Sequence, residues 1–593
     1  MTVSWAHVLT WETGPLESIA SDLLEASKGL REAYESGDTA VWSVRSQGEA
    51  ITTMQATTIC NLASLDRALT NINGALMAIE AARDGVGSIM AYVNEAKAFA
   101  SLHGCTINPD GSVSSVKQGM LAVTRLEDNV RAILSKANQV DTTLAEALAS
   151  INTDRYTDGD RGSDKVVGIP DVPQPNWSPS QNAAWWNSLP EERKKFLIDH
   201  CPDDIRHLDG LPAAARDQAN RRALDGYVDA NGKEHQGALK DAKRAVEEAQ
   251  LAYDIADKKQ ANNKTDGYVA AKKGDAQIKL ERAKEAYEDL KAIREQTAND
   301  VRASKGLAPA YLLDFNYDND YHRTTAIVSS GNPDTATHVS TLVPGIGTNV
   351  RGDLAKYVAA NDRLRAQTAH AGADPNNVAT ISYLGYVAPK NDGLNNIQAA
   401  DIGYANRAAP VLARFEEGLR ANAEANHHKF TNTLVTHSYG STTGGKAAAL
   451  MAPGTVDRLI LTGSPGGGVQ SIDEYNVPRE HVYESSIPEG DAVQGIGPDA
   501  YYGKNPRHLE GITHLSGDAT DAKDYWRPLP DIDDPQAEVT NRLSHAIDNH
   551  MLYFEDGTRT SQDFANIIAG GNPTTDEEWA AIKAARAKEN NGH

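Results

Sequence analysis

Apolar residues recur every three or four positions through the first part of the chain: Leu16, Ile19, Leu23, Ala26 and Leu30, then Leu62, Leu65, Leu69, Ile72, Leu76 and Ile79. That period is one face of an α-helix, so residues 1–105 are expected to form long amphipathic helices with a hairpin break at Glu35-Ser36-Gly37-Asp38. The stretch Thr106-Ile107-Asn108-Pro109-Asp110-Gly111-Ser112-Val113 places a Pro-Asp-Gly turn between β-type residues, which predicts a small β-hairpin. A further helix is expected over residues 117–151, and the Asp-, Gly- and Pro-rich residues 152–176 read as a linker. Leu239, Ala242, Val246, Ala249, Tyr253 and Ala256 keep a heptad that residues 261–267 break and Leu280, Ala283, Tyr287 and Leu290 resume, the pattern of a coiled-coil-like helical hairpin with a solvated charged face.

The pattern changes at Tyr311. Strand-like runs at 324–329, 338–343, 378–384, 433–436, 458–462 and 481–486 alternate with helical stretches such as 354–370 and 399–426. Strands alternating with helices imply a mainly parallel sheet covered on both faces, with functional groups at the carboxyl ends of its strands. The expected organisation is a helical bundle with a small hairpin (1–151), a linker (152–176), a helical segment (177–237), a charged helical hairpin (238–305), an α/β domain (306–570) and a C-terminal tail (571–593).

Composition narrows the function classes. A chain of 593 residues exceeds a single core. Its formal net charge of −23 argues against nucleic-acid binding, which needs clustered Lys and Arg. Cys60, Cys105 and Cys201 lie far apart without ligand spacing and are read as small buried residues, so no metal site or disulfide framework is expected. No basic start followed by an apolar run opens the chain, and no segment is apolar for long enough to span a bilayer. The expectation is a cytoplasmic protein, or one exported without a cleaved signal peptide.

The chemistry concentrates at Leu434-Val435-Thr436-His437-Ser438-Tyr439-Gly440-Ser441, where an apolar strand runs into a small-residue helix start. A sharp strand–turn–helix of this kind lifts a serine hydroxyl above the sheet as a nucleophile. The pattern Gly-x-Ser-x-Gly is met at Gly440 but carries Thr436 at its first position, where a β-branched residue brings strain or extra spacing. A serine needs a base to take its proton and an acid to orient that base. Asp491, after the 481–486 strand, is placed as the acid, and His550, before a helix expected near Thr560, as the base. His545 is the competing base; Leu543 and Ile547 flank it at helical spacing. Oxyanion donors are expected from the amides of Tyr439 and of Ile346, in Pro344-Gly345-Ile346-Gly347. His508 and His514 are placed in a loop that could line the pocket, and His427 and His428 face solvent.

These residues together resemble a known family. Val343-Pro344-Gly345-Ile346-Gly347-Thr348, Tyr383-Leu384-Gly385-Tyr386, His437-Ser438-Tyr439-Gly440-Ser441, Gly463-Ser464-Pro465-Gly466, Gly490-Asp491 and His550…Tyr553-Phe554 look like the α/β-hydrolases of actinobacteria and their phages, in which an N-terminal helical region precedes the hydrolase. Trp185-Trp186, Asp209-Gly210-Leu211-Pro212 and Arg216-Asp217…Asn220-Arg221 are similar to the segment before the hydrolase in that family. The resemblance implies an α/β-hydrolase domain acting as a serine esterase or lipase on a small-molecule or lipid ester, with no cofactor and no metal. A rival reading makes the helical half the active part, binding a helical partner or delivering the chain, with the hydrolase fold as scaffold. Trp42 beside the expected break is placed like the Trp of Trp-x-Gly hairpins exported by type VII secretion, although Gly is absent two positions on.

Overall fold

A computed structural model describes residues 3–43, 49–115, 120–152, 177–189, 191–263, 266–390, 402–495, 498–519, 522–523 and 544–590. The side chains of Trp42 and Cys60, and nearly all of the 152–176 linker, lie outside the described residues. The chain divides into two units, one of residues 1–194 with 209–211 and 420–426, the other of 195–208, 212–419 and 427–593.

The first unit is built on long helices, Gly14–Ser43, Glu49–His103 and Met120–Asn152. Trp5, Val8, Ile89, Val93, Leu126 and Val130 form its apolar core. The expected break at Glu35-Ser36-Gly37-Asp38 does not occur: the helix runs unbroken from Gly14 to Ser43. One glycine inside a helix costs only about 1 kcal/mol, which packing along the rest of its length offsets. The small hairpin does form, β1 (Cys105–Ile107) against β2 (Val113–Ser115). Gly111 adopts φ +86° at its turn, and Asp110 accepts the Ser112 amide.

In the second unit, β3 (Tyr227–Val228) and β4 (Glu234–His235) pair ahead of two helices, Ala238–Asn262 and Gly267–Gln296, that pack against each other. The core of this unit is an eight-stranded sheet of β5 (Ala310–Asp318), β6 (Arg323–Ser330), β7 (His338–Val343), β8 (Val378–Leu384), β9 (Thr431–His437), β10 (Arg458–Thr462), β11 (Val482–Ser485) and β12 (Thr513–His514), in the order β12-β11-β10-β9-β7-β8-β6-β5. Strands β7 to β12 are parallel; β6 runs antiparallel to β8 and to β5. Every residue of β8 is buried, as expected for a strand covered on both faces.

Sequence reading missed both edge strands, β5 and β12. β5 is held by the Arg216-Asp217…Asn220-Arg221 block on the helix Ala213–Asp225, which acts structurally. Asp217 accepts the Leu312 amide at 2.7 Å, Asn220 donates to the Leu312 and Leu313 carbonyls at 3.2 and 3.0 Å, and Arg221 donates to Asp217 and the Ala310 carbonyl. These bonds occupy backbone groups that an edge strand would otherwise leave open. Beyond 570 the chain forms a helix, Asp576–Asn590, and Leu515 pairs with Thr575 just before it.

The opposite edge, β12, is only two residues long, and His514 does not line a pocket loop. Its Nδ1 lies 2.6 Å from Glu484, its cross-strand partner on β11. The hydrogen bond to Glu484 raises the His514 pKa above its ordinary value, against the opposing effect of burial. A group whose folded pKa is raised contributes stability that is complete below its unfolded pKa of about 6.5 and is lost as pH rises through the folded value. His514→Gln is therefore expected to lower Tm by roughly 1–3 °C near pH 6 and by less above pH 8, measured by calorimetry at both pH values.

Candidate active site

Ser438 stands at the carboxyl ends of β9 and β10, against the loop that follows β7. Strand β9 ends at His437, and the helix Tyr439–Leu450 begins one residue after Ser438, which carries the turn with φ +59° and ψ −133°. A side chain at positive φ costs on the order of 1–3 kcal/mol and persists only where the surroundings fix it. They do so here: Ser438 N–H donates to the Thr462 carbonyl at 2.9 Å, and the Ser438 carbonyl accepts Ser441 N–H at 2.9 Å. Two glycines make the bend possible. A Cβ on Gly440 would stand 2.4 Å from the Val343 carbonyl oxygen, and one on Gly345 would stand 2.4 Å from Ser438 Cβ. The loop after β7 therefore touches the serine, and Ile346, one of the expected amide donors, follows directly in it.

Thr436 is accommodated by a change on the facing helix. Its hydroxyl donates to the Ile460 carbonyl at 2.8 Å, so burying it leaves no orphaned polar group. Its methyl points at Gly444, where an added Cβ would come within 2.4 Å of Thr436 Cγ2. The space that a glycine at position 436 would have left is supplied by Gly444 in the helix Tyr439–Leu450.

His550 and Asp491 form a buried pair. His550 Nδ1 lies 2.9 and 3.0 Å from the two Asp491 oxygens. Asp491 also accepts from Val493 N–H at 2.7 Å and from the Tyr553 hydroxyl at 2.7 Å. Burial alone would push the Asp491 carboxyl up, but the His550 imidazole and these donors hold it down at about 2, so it stays ionised. Asn549, fully buried, donates to the Gly490 carbonyl at 2.8 Å and so joins the His550 segment to the Asp491 loop. His550 Nε2 is buried and, among the described residues, makes no hydrogen bond, including none with the Ser438 hydroxyl. Nucleophile–base bonds are often long without substrate and tighten when it binds.

Several residues at this site had no role in the sequence reading. His437 stacks on the His550 ring with centroids 4.6 Å apart, and its Nε2 lies 2.9 Å from the His550 carbonyl. Burial, with the neighbouring His550, pushes the His437 pKa down to about 3 and keeps it neutral, so its Nε2–H donates in that bond. Gly463, at φ +53°, presents its bare Cα to the pair: a Cβ there would meet Asp491 Oδ2 at 2.9 Å and His550 Cε1 at 3.0 Å. Nothing in local spacing marks these two residues, because the contacts join segments far apart in the chain. His545 lies in a helical turn before His550, and its Nδ1 is buried without a hydrogen-bond partner among the described residues. His428 donates to or accepts from nothing at the site and instead bonds the Ala336 carbonyl through Nε2 at 2.8 Å. Among the described residues no group of three or more His, Cys, Asp or Glu side chains could hold a metal ion. Among them too, no helix is long and apolar enough to cross a membrane.

Comparison with known proteins agrees with this architecture. The chain is 28% identical over 454 residues to two uncharacterized proteins of Mycobacterium tuberculosis, from strains CDC 1551 / Oshkosh and ATCC 25618 / H37Rv. The match covers 72% of this chain and spans 62% of the length of each relative. No solved structure matches. Residues 320–499, which include Ile346, Ser438, Tyr439 and Asp491 but end before His550, match the family model described as alpha/beta hydrolase. The C-terminal region of the chain thus carries an α/β-hydrolase domain.

Proposed function

We propose that this domain is a serine hydrolase of esterase or lipase type, with Ser438 as nucleophile, His550 as base and Asp491 as orienting acid. The observation that carries the reading is the buried His550–Asp491 pair, which leaves Nε2 of the imidazole without a partner among the described residues, in the domain whose strand end holds Ser438 at positive φ. In the reaction, Ser438 Oγ bonds to the ester carbonyl carbon as its proton passes to His550 Nε2. The amides of Tyr439 and Ile346 are the donors assigned to the resulting oxyanion; Tyr439 N–H opens a helix, where the dipole favours negative charge. The bond to the leaving alcohol then breaks and the alcohol takes the proton from His550. Water, deprotonated by the same nitrogen, releases the acid and regenerates the serine. Asp491 remains ionised throughout and stabilises the imidazolium. The substrate class is a small-molecule or lipid ester.

The test is hydrolysis of short p-nitrophenyl esters together with labelling by a fluorophosphonate probe, read by peptide mass spectrometry. Turnover and a label on Ser438 are expected, both absent in Ser438→Ala. A stable protein that neither turns over any ester nor takes the probe would reject the reading.

A further inference from the structure

Tyr553 sits three residues after His550, and the two side chains grip the same carboxylate. Asp491 Oδ1 receives Val493 N–H at 2.7 Å and Gln494 N–H at 3.3 Å, whereas Oδ2 receives the Tyr553 hydroxyl at 2.7 Å. The His550 Nδ1 proton is shared between both oxygens at 2.9 and 3.0 Å. The same phenol accepts Ile487 N–H at 3.2 Å, at the exit of β11, so one fully buried ring ties the strand exit, the acid and the base turn together. It also stands edge-on to the His550 ring, with centroids 6.4 Å apart and planes at 85°.

We propose that Tyr553 is a positioning residue of the triad: its hydroxyl fixes the Asp491 carboxylate and draws charge from it, setting how strongly the carboxylate holds a protonated His550. This rests on the triad reading above. The titratable groups facing His550 are Asp491 from the acid loop, His437 from the end of β9 and Tyr553 from its own turn, with Glu484 acting on Tyr553 from β11. A donor on a carboxylate withdraws negative charge from it, so removing the donor makes the carboxylate a stronger partner for imidazolium. The base then stays protonated to higher pH, and the acid limb of the rate profile moves up.

The experiment is the pH profile of kcat/KM for a p-nitrophenyl ester with wild type, Tyr553→Phe, and protein carrying 3-fluorotyrosine at position 553, whose phenol is a stronger donor of nearly the same size. Tyr553→Phe is expected to lower kcat on the order of tenfold, the worth of one hydrogen bond to a charged group, with KM little changed and the acid limb shifted to higher pH. The fluorinated protein, which keeps the bond to Ile487, should shift the limb to lower pH even if Tyr553→Phe folds poorly. Packing alone would move neither limb; a fluorinated protein whose limb superimposes on wild type overturns the proposal. Fluorophosphonate labelling of Ser438 in the wild type is run alongside. Labelling with an unmoved limb rejects only the role of Tyr553, and absence of labelling and turnover rejects the triad and this role together.

Discussion

His550→Ala is expected to lower ester turnover by a factor on the order of 10⁴ or more, leaving only what the oxyanion donors and substrate binding supply. His545→Ala should leave turnover near the wild-type value. The two histidines are five positions apart, yet their surroundings differ. His550 has a carboxylate within 2.9 Å of Nδ1, a stacked neutral imidazole on one face and a backbone carbonyl gripped by His437 at 2.9 Å. Its free nitrogen is the one opposite the carboxylate, the arrangement that lets a base take a proton while its tautomer is fixed. His545 has a buried Nδ1 with no hydrogen-bond partner among the described residues, so alanine there removes an unsatisfied polar group at the cost of some packing. The measurement is kcat for both variants, with circular dichroism to show that each is folded. Reversed effects would move the base to His545 while leaving Ser438 as nucleophile.

Much of the candidate site was legible in the chain because the residues proposed for it stand where the topology puts chemistry. β-Branched and apolar runs marked six of the sheet strands, and Ser438, Asp491 and His550 each follow such a run or precede the last helix of the sheet. The strands that escaped notice lack that signature. β5 carries Asp314, Asn316 and Asp318 along its length, and β12 consists of Thr513 and His514; both are strands because their backbones pair with a neighbouring strand, β5 with β6 and β12 with β11. The helix through Gly37 shows the opposite error, a local breaker that the helix Gly14–Ser43 runs through. The support around the proposed triad was hidden for a third reason. His437 meets the His550 backbone across 113 positions, and Tyr553 meets Asp491 across 62. Periodicity within a window cannot report contacts of that range.

The departure at Thr436 was legible as an anomaly, but its resolution depends on Gly444 and yields a prediction of sign as well as size. Alanine is a better helix former than glycine by about 1 kcal/mol, so Gly444→Ala in the helix Tyr439–Leu450 would ordinarily stabilise. Here the new methyl would come within 2.4 Å of Thr436 Cγ2, deep in fully buried packing, and overpacking of this kind costs about 1–3 kcal/mol. The clash outweighs the propensity. Because the helix that must shift begins one residue after Ser438, the proposed nucleophile, displacement on the order of 1 Å should also reduce kcat by roughly 10²-fold. Thr436→Ser removes the offending methyl while retaining a hydroxyl for the Ile460 carbonyl. The double variant Thr436→Ser, Gly444→Ala is therefore expected to recover wild-type turnover and to match or exceed wild-type stability in urea. If Gly444→Ala alone proves stabilising and fully active, the contact between Thr436 and Gly444 does not set the geometry of the turn that carries Ser438.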